Sequence, residues 1–385
     1  MSLILTLNAG SSSIKFALYN KGNVGEQLAA GQVENLGAKA KLGLKRSNGE
    51  TFAAAIGAAS HKAALAAILS EKTALMPKGT RIAGVGHRIV HGGSGFGEPQ
   101  VLDGATIGKL QSLCPLAPLH QPHNLAAVIA AKSAFPSALQ IGCFDTAFHQ
   151  GHAFIEETFA LPRRYHDAGV RRYGFHGLSY QYVSGELARL YPELGKSRVV
   201  IAHLGNGASM CALSGGRSVS STMGFSPLDG LAMGTRSGQI DPGVLLYMAQ
   251  HEGLEPQAIA DLLYKQSGLL GLSGISHDMR TLEASSQPHA KQAIAYFIAR
   301  IKRELGGLAA VLGGLDALVF CGGIGENSRL VRAGVCEGMD WLGICLDANA
   351  NAANGADIGT GKVRILVIAT DEERVIAQAV NARLG

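Results

Sequence analysis

The chain has 385 residues, 47% hydrophobic and 16% charged, which excludes a disordered chain and supplies a large core. At ~100–200 residues per domain, the length points to two domains. A net charge of +5 without a long run of Lys or Arg argues against a nucleic-acid partner and for a mildly basic cleft. The six cysteines (Cys114, Cys143, Cys211, Cys321, Cys336, Cys345) contain no C-x-x-C pair and read as buried free thiols of a reduced compartment. The start lacks the basic and apolar regions of a signal peptide. The most apolar stretch, residues 305–320, carries four glycines and Asp316, so it reads as a helix and strand rather than a membrane span. These features predict a soluble cytoplasmic protein with no membrane partner.

Residues 3–7 and 14–19 read as strands flanking Asn8-Ala9-Gly10-Ser11-Ser12-Ser13. Such a turn can cradle a phosphate: Gly10 permits close approach, serine hydroxyls and backbone N–H groups donate, and Lys15 adds positive charge. An ordinary hairpin with solvated serines is the alternative. Asn48-Gly49 marks another hairpin, and the alanine-rich run 52–69 reads as a helix. Residues 82–86 read as a buried strand entering His87-Arg88-Ile89-Val90-His91-Gly92-Gly93; strand ends in α/β sheets are where ligands bind. Residues 116–124 form a proline-bracketed loop in which Asn124 caps the next helix. Residues 140–149 read as a strand ending in Asp145, with a domain boundary just beyond.

Tyr173-Gly174-Phe175-His176-Gly177 is a glycine-flanked loop before a helix over 178–190. Residues 199–213 then repeat the opening layout: Leu7 falls on Leu204, Gly10 on Gly207 and Ser12 on Ser209. Two such segments point to a duplicated domain, each half offering a phosphate turn to a shared cleft. Residues 223–238 form a long, polar, glycine-rich loop with Arg236 near its end, and such loops are usually functional. Ile294, Phe297, Ile298, Ile301 and Leu305 mark the core face of a helix over 290–312. Residues 318–327 read as a buried strand breaking into a glycine-rich turn. Residues 363–368 read as the last strand, and a closing helix follows Thr370-Asp371-Glu372-Glu373. The alternation predicts an α/β fold with a largely parallel sheet in each half.

Neither a G-x-x-x-x-G-K-[ST] nor a G-x-G-x-x-G motif occurs. The histidine spacings His87/His91, His120/His123 and His149/His152 lack the partners of a zinc site, so no structural zinc is expected. Singly, each polar candidate has a bland explanation. Arg88 could be a surface arginine and His176 a satisfied loop histidine; Arg236 could pair with Asp229 or Asp241, and Asp145 could cap a helix. Together, two arginines, a histidine and an acid at strand ends and glycine loops match phosphoryl transfer. That chemistry needs positioning and electrostatic stabilisation of charge spread over three oxygens.

Asn8-Ala9-Gly10-Ser11-Ser12-Ser13-Ile14-Lys15-Phe16 and residues 224–238 resemble two signatures of the acetate kinases, the acetokinase family. The His-Arg-Ile-Val-His-Gly-Gly, Phe-Asp-Thr-Ala-Phe-His, Tyr-Gly-Phe-His-Gly, His-Leu-Gly-Asn-Gly and Gly-Ile-Gly-Glu-Asn segments match too, in the family's order and over nearly the whole chain. The resemblance implies the sugar kinase, actin and heat-shock chaperone ATPase superfamily. It therefore implies an α/β fold of two duplicated actin-like (ribonuclease H-like) domains around a central nucleotide cleft. The expected boundaries are 1–148, completed by a C-terminal helix at about 373–385, and 149–372, the nucleotide-binding and dimer-forming half. The implied reaction is ATP + acetate ⇌ ADP + acetyl phosphate by direct in-line transfer, with Mg²⁺, for which Mn²⁺ can substitute.

Carried over by motif, the catalytic residues are Arg88, Asp145, His176 and Arg236. Arg88 and Arg236 bracket the carboxylate and phosphoryl group, His176 stabilises the equatorial oxygens, and Asp145 orients Arg88 or the metal shell. Asn8 and Glu372 are the implied metal holders. Ser11, Ser13 and Lys15 line the phosphate path. His203, Leu204, Gly205, Asn206 and Gly207, with Gly323, Ile324, Gly325, Glu326 and Asn327, hold phosphates and nucleoside. Asp278, Met279 and Arg280 lie near the base and ribose. Val90, Leu119, Phe175 and Pro227 form the methyl pocket. Three places depart from the family pattern: Asp371 stands for Asn, His120-Gln121-Pro122-His123-Asn124 replaces His-Asn-Pro, and His277 replaces Asn or Ser. The rivals are a propionate or butyrate kinase on the same scaffold, a non-catalytic actin- or chaperone-like switch, and a sugar kinase.

Overall fold

Hairpins and helical crossovers alternate along the chain to build two sheets of one design. The structure, a computed structural model, describes all residues except Met1, Ser11, Ser12, residues 71–78 and Leu119. Its contacts divide the chain into two units, Met1–Phe148 with Asp371–Gly385, and His149–Thr370.

In the first unit the described strands are β1 (Ser2–Ala9), β2 (Ile14–Asn20), β3 (Asn23–Glu34), β4 (Gly37–Arg46), β5 (Thr51–Ala59), β6 (Arg81–Ile89), β7 (Gln100–Val101) and β8 (Leu139–Phe144). They form one sheet in the order β5-β4-β3-β2-β1-β6-β8-β7. The second unit carries β9 (Arg198–Leu204), β10 (Ala208–Ser214), β11 (Arg217–Ser221), β12 (Ala317–Cys321) and β13 (Arg364–Val367), in the order β11-β10-β9-β12-β13. The β3-β2-β1-β6-β8 core of the first sheet therefore repeats in the second, strand for strand.

Neither sheet is largely parallel. The pairs β1/β2, β2/β3, β3/β4, β4/β5, β7/β8, β9/β10 and β10/β11 are antiparallel, and only β1/β6, β6/β8, β9/β12 and β12/β13 are parallel. The reason is connection length: short turns return the chain antiparallel, and parallel pairing appears only where a long crossover brings it back. The predicted helix over 52–69 is half strand. Residues 51–59 form β5 on the free edge of β4, and only His61–Ser70 is helical. Burial in β5 alternates, with Phe52 and Ile56 packed on the core. An unpaired neighbouring edge outweighs alanine's helix propensity.

In the first unit, helices His61–Ser70 and Gln121–Ala134 pack on the sheet through Leu65, Ile68, Ala127 and Ala131 against Leu3, Leu5 and Leu7. The closing helix, Glu372–Leu384, lies against β6. A methyl group at Gly84 would stand 2.4 Å from Val380, and one at Gly86 2.3 Å from Ile376, so these two glycines let the helix seat directly on the strand. In the second unit, helix Pro288–Leu312 buries Ile294, Phe297, Ile301 and Leu305. Among the described residues no helix is long and apolar enough to cross a membrane.

Candidate active site

At the head of the first sheet, β1 passes through Gly10 into β2, and Gly10 N–H donates to the Ser13 carbonyl at 2.8 Å. Ser13 is half-buried and Lys15, opposite Asn8 in the hairpin register, is exposed. Ser11 lies outside the described residues. Arg88 in β6 and Asp145 just after β8 emerge from adjacent parallel strands, with Arg88 opposite Cys143. Arg88 Nε donates to Asp145 Oδ1 at 2.9 Å and Nη2 to Oδ2 at 2.6 Å, a two-pronged pair that fixes the guanidinium plane. Nη1 lies 3.2 Å from Glu372 and 3.4 Å from Asn8 Oδ1. Burial pulls the Arg88 guanidinium down, but Asp145 and Glu372 outweigh it and hold it above the ordinary arginine value. Burial also lifts the Asp145 carboxyl, against the pull of Arg88. Two carboxylates on one arginine leave a net negative charge there.

Asn124 does not cap its helix, which begins at Gln121. It is buried within the first turns, and its carboxamide bridges two strand ends: Oδ1 accepts from Val90 N–H at 2.9 Å and Nδ2 donates to the Ala9 carbonyl at 2.6 Å. The β1/β6 ladder ends at Leu7 opposite His87, so the side chain continues where backbone pairing stops. Gln121 does similar work, accepting from His91 N–H and donating to its carbonyl. Val90 is buried beside them, and Leu119 lies outside the described residues. Asp371 accepts from Arg374 N–H at 3.0 Å and pairs with its side chain at 3.2 Å, so it caps the closing helix.

In the second unit, β9 and β10 are joined by Gly205-Asn206-Gly207, with Gly205 N–H donating to the Gly207 carbonyl at 3.0 Å. A methyl group at Gly207 would stand 3.2 Å from His176 Nε2 and 3.9 Å from Arg236 Nη1, so both side chains face this turn. His176 caps helix Gly177–Leu190 with a left-handed backbone, φ 59°. Arg236 Nη1 donates to the Pro227 carbonyl at 3.0 Å. The two acids proposed as its bland partners are engaged elsewhere: Asp229 with Arg172 at 3.0 Å, and Asp241 as the cap of helix Pro242–Gln250. Phe175 is buried, and its carbonyl accepts from His149 Nε2 at 2.9 Å.

A cavity of about 670 Å³ opens beside the same turn. Gly205, Asn206, Asp278, Met279, Arg280, Gly323, Ile324 and Asn327 line it, together with His277, Glu283 and Ser328. Other expected nucleotide residues do not. Leu204 is in the core, and the His203 ring lies tilted against the His176 ring, 4.5 Å between centroids. Residues 322–327 are a short helix rather than a turn. Gly322 (φ 75°) is required there because a methyl group would stand 2.7 Å from the Leu204 carbonyl. Glu326 turns back to accept from Gly322 N–H at 2.9 Å, and the Gly325 carbonyl accepts from buried Arg332. Glu283 and Ser328, bonded to each other, carried no motif signal. Among the described residues no group of three or more His, Cys, Asp or Glu could hold a metal ion. His149 and His152 instead both meet Ser218, at 2.9 and 2.7 Å.

Two mixed sheets of the same order, each headed by a glycine turn, define the actin-like ATPase fold. The chain belongs to the acetokinase family, which matches residues 3–378. It is 50% identical to the acetate kinase of Methylocella silvestris, over 97% of this chain and 96% of that one. Its structure resembles Porphyromonas gingivalis acetate kinase, with a TM-score of 0.90 at 39% identity over 100% of both chains. It also resembles a propionate kinase from Francisella tularensis, with a TM-score of 0.91 at 37% identity over 98% and 99% of the two chains.

Proposed function

We propose that the protein is an acetate kinase, transferring the γ-phosphoryl group of ATP reversibly to acetate by direct in-line transfer. The observation that carries this reading is Arg88: a half-buried cation held by buried Asp145, two residues from buried Val90, in a chain of the acetokinase family. A cation beside an apolar side chain suits a small carboxylic acid. The acid's carboxylate has a pKa near that of Glu and is ionised at neutral pH, so the nucleophile needs no base. Asp145 accordingly positions Arg88 and does not abstract a proton. Val90, Leu119, Phe175 and Pro227 are assigned to the methyl group. His176 and Arg236 stabilise the charge on the transferring phosphoryl group, Ser13 and Lys15, with Ser11, line the phosphate path, and the cavity at Asn206 and Gly323 takes the nucleoside.

Asn8 and Glu372 would hold Mg²⁺. They are hard oxygen donors beside an excess of carboxylate, and Mg²⁺ is commonly held by one or two carboxylates plus substrate phosphates. Bound there, the ion would neutralise phosphate charge. The reading includes a homodimer formed through the second unit. In its support, helix Pro242–Gln250 buries none of its residues although Val244, Leu246 and Tyr247 are apolar. That Cys143, Cys211 and Cys336 are buried thiols outside any disulfide supports a cytoplasmic location.

The test is steady-state phosphorylation of formate, acetate, propionate and butyrate with MgATP, trapping acyl phosphate as the hydroxamate. A kcat/KM maximum at acetate is expected. A maximum at propionate would favour the second reading, which the Francisella structure supports, since one methylene is worth only ~1–3 kcal/mol. No hydroxamate from any acid would remove the kinase reading.

A further inference from the structure

Ser209 and Tyr180 carry no role in the reaction as described, yet both converge on His176. Ser209 lies in β10 opposite His203, with no exposed surface. Its Oγ is 2.8 Å from His176 Nδ1 and 2.5 Å from the Tyr180 hydroxyl. Tyr180 is equally buried, one helical turn beyond His176, and its N–H donates to the His176 carbonyl at 3.1 Å. One hydroxyl thus joins a phenol to an imidazole, away from water.

We propose that Tyr180 and Ser209 form a hydrogen-bond relay holding His176 as the neutral tautomer with its proton on Nε2, and that both are positioning residues for phosphoryl transfer. The inference rests on the kinase reading and adds to it the means by which His176 is kept a donor. Proton direction follows from acidity. A phenol is a stronger acid than an aliphatic alcohol, so Tyr180 O–H donates to Ser209 Oγ, and Ser209 O–H donates on to Nδ1. An imidazole that accepts at Nδ1 carries its proton on Nε2. Burial pushes the Tyr180 phenol well above its ordinary value, so it stays a donor at neutral pH. Nε2 is the atom that faces the Gly205–Gly207 turn, where a developing negative charge would gain from a fixed donor. The ring is further held by His203, whose ring lies tilted against it at 4.5 Å between centroids, and by the left-handed backbone at residue 176. Such a backbone is disfavoured for a residue with a side chain and persists only where its surroundings enforce it.

The experiment compares the full-length protein with Ser209→Ala and Tyr180→Phe, using imidazole-¹⁵N-labelled histidine and steady-state kinetics. His176→Gln assigns the His176 signals. The relay predicts an Nε2–H tautomer in the parent, and a tautomer mixture or Nδ1–H form in Ser209→Ala. It also predicts kcat lower by roughly tenfold or more with both KM values unchanged, short of the ~10²–10³-fold loss of a direct donor. Tyr180→Phe, which keeps the ring, is expected to lie between. An unchanged tautomer in Ser209→Ala would overturn the proposal, as would KM values raised in step with the loss of kcat, which mark a distorted turn. A parent without acyl-phosphate formation would count against the kinase reading alone, because the tautomer measurement needs no turnover.

Discussion

Arg88 shows how a residue acquires a task from its neighbours. A lone arginine at a strand end is unremarkable, but Asp145 grips two of its nitrogens and leaves Nη1 toward Asn8 and Glu372. Arg88→Ala and Arg236→Ala should each lower kcat/KM by ~10³-fold or more, by analogy with arginines that stabilise transferring phosphoryl groups; near-parent values would refute the assignment. Asn124 acts on backbone instead. Asn124→Leu removes a buried bridge and leaves the Val90 N–H and Ala9 carbonyl unpaired, at roughly 1–3 kcal/mol for each group. Chemical unfolding should show the loss and acetate KM should rise; parent-like values of both would show the bridge to be dispensable. The proposed site residues could be named from motifs because phosphate chemistry asks for particular residue types. Asn124 was misread, because a helix cap and a strand bridge ask for the same side chain.

At the scale of elements, the closing helix decides the place of Glu372. Its cap is Asp371, whose carboxylate takes the Arg374 N–H. Asp371→Ala should destabilise the protein by about 1 kcal/mol, read from a urea midpoint. Asp371→Asn should keep both stability and Mg²⁺ dependence, since asparagine caps equally well. A changed Mg²⁺ requirement in Asp371→Asn would instead mark Asp371 as part of the metal shell. The glycines of β6 belong to the same element pair, admitting Ile376 and Val380 to the strand surface. Strand β5 carries the converse lesson: its alanines favour a helix locally, and the edge of β4 decides otherwise.

Across the whole molecule, buried histidines tie stability to pH. Burial lowers His87 and His91 to about 4 and His149 to about 3, from an ordinary value of 6.5. The unfolded chain therefore binds protons near pH 6.5 that the folded chain refuses until pH 4 or below. Stability from these groups is complete above about pH 6.5 and is lost as pH falls toward 4 and 3. The urea midpoint should drop between pH 7 and pH 5, and a flat midpoint over that range would contradict the burial of these rings. His87 and His91 lie in the first unit and His149 in the second, so both should respond.

The sequence by itself determined the family and the repeated strand–turn–strand layout, and it singled out residue types that phosphoryl transfer would call on. Those features are local: a glycine turn or an arginine motif is written in consecutive residues, whatever surrounds it. Only the tertiary structure decided which strands became neighbours, and hence that the sheets are mixed and that Arg88 meets Asp145, 57 positions away. It also decided which expected nucleotide residues reach the cavity and which, like Leu204 and Glu326, turn into the protein. The physical reason is that strand pairing and side-chain direction are settled by edges, faces and burial, which a linear pattern of residues does not encode.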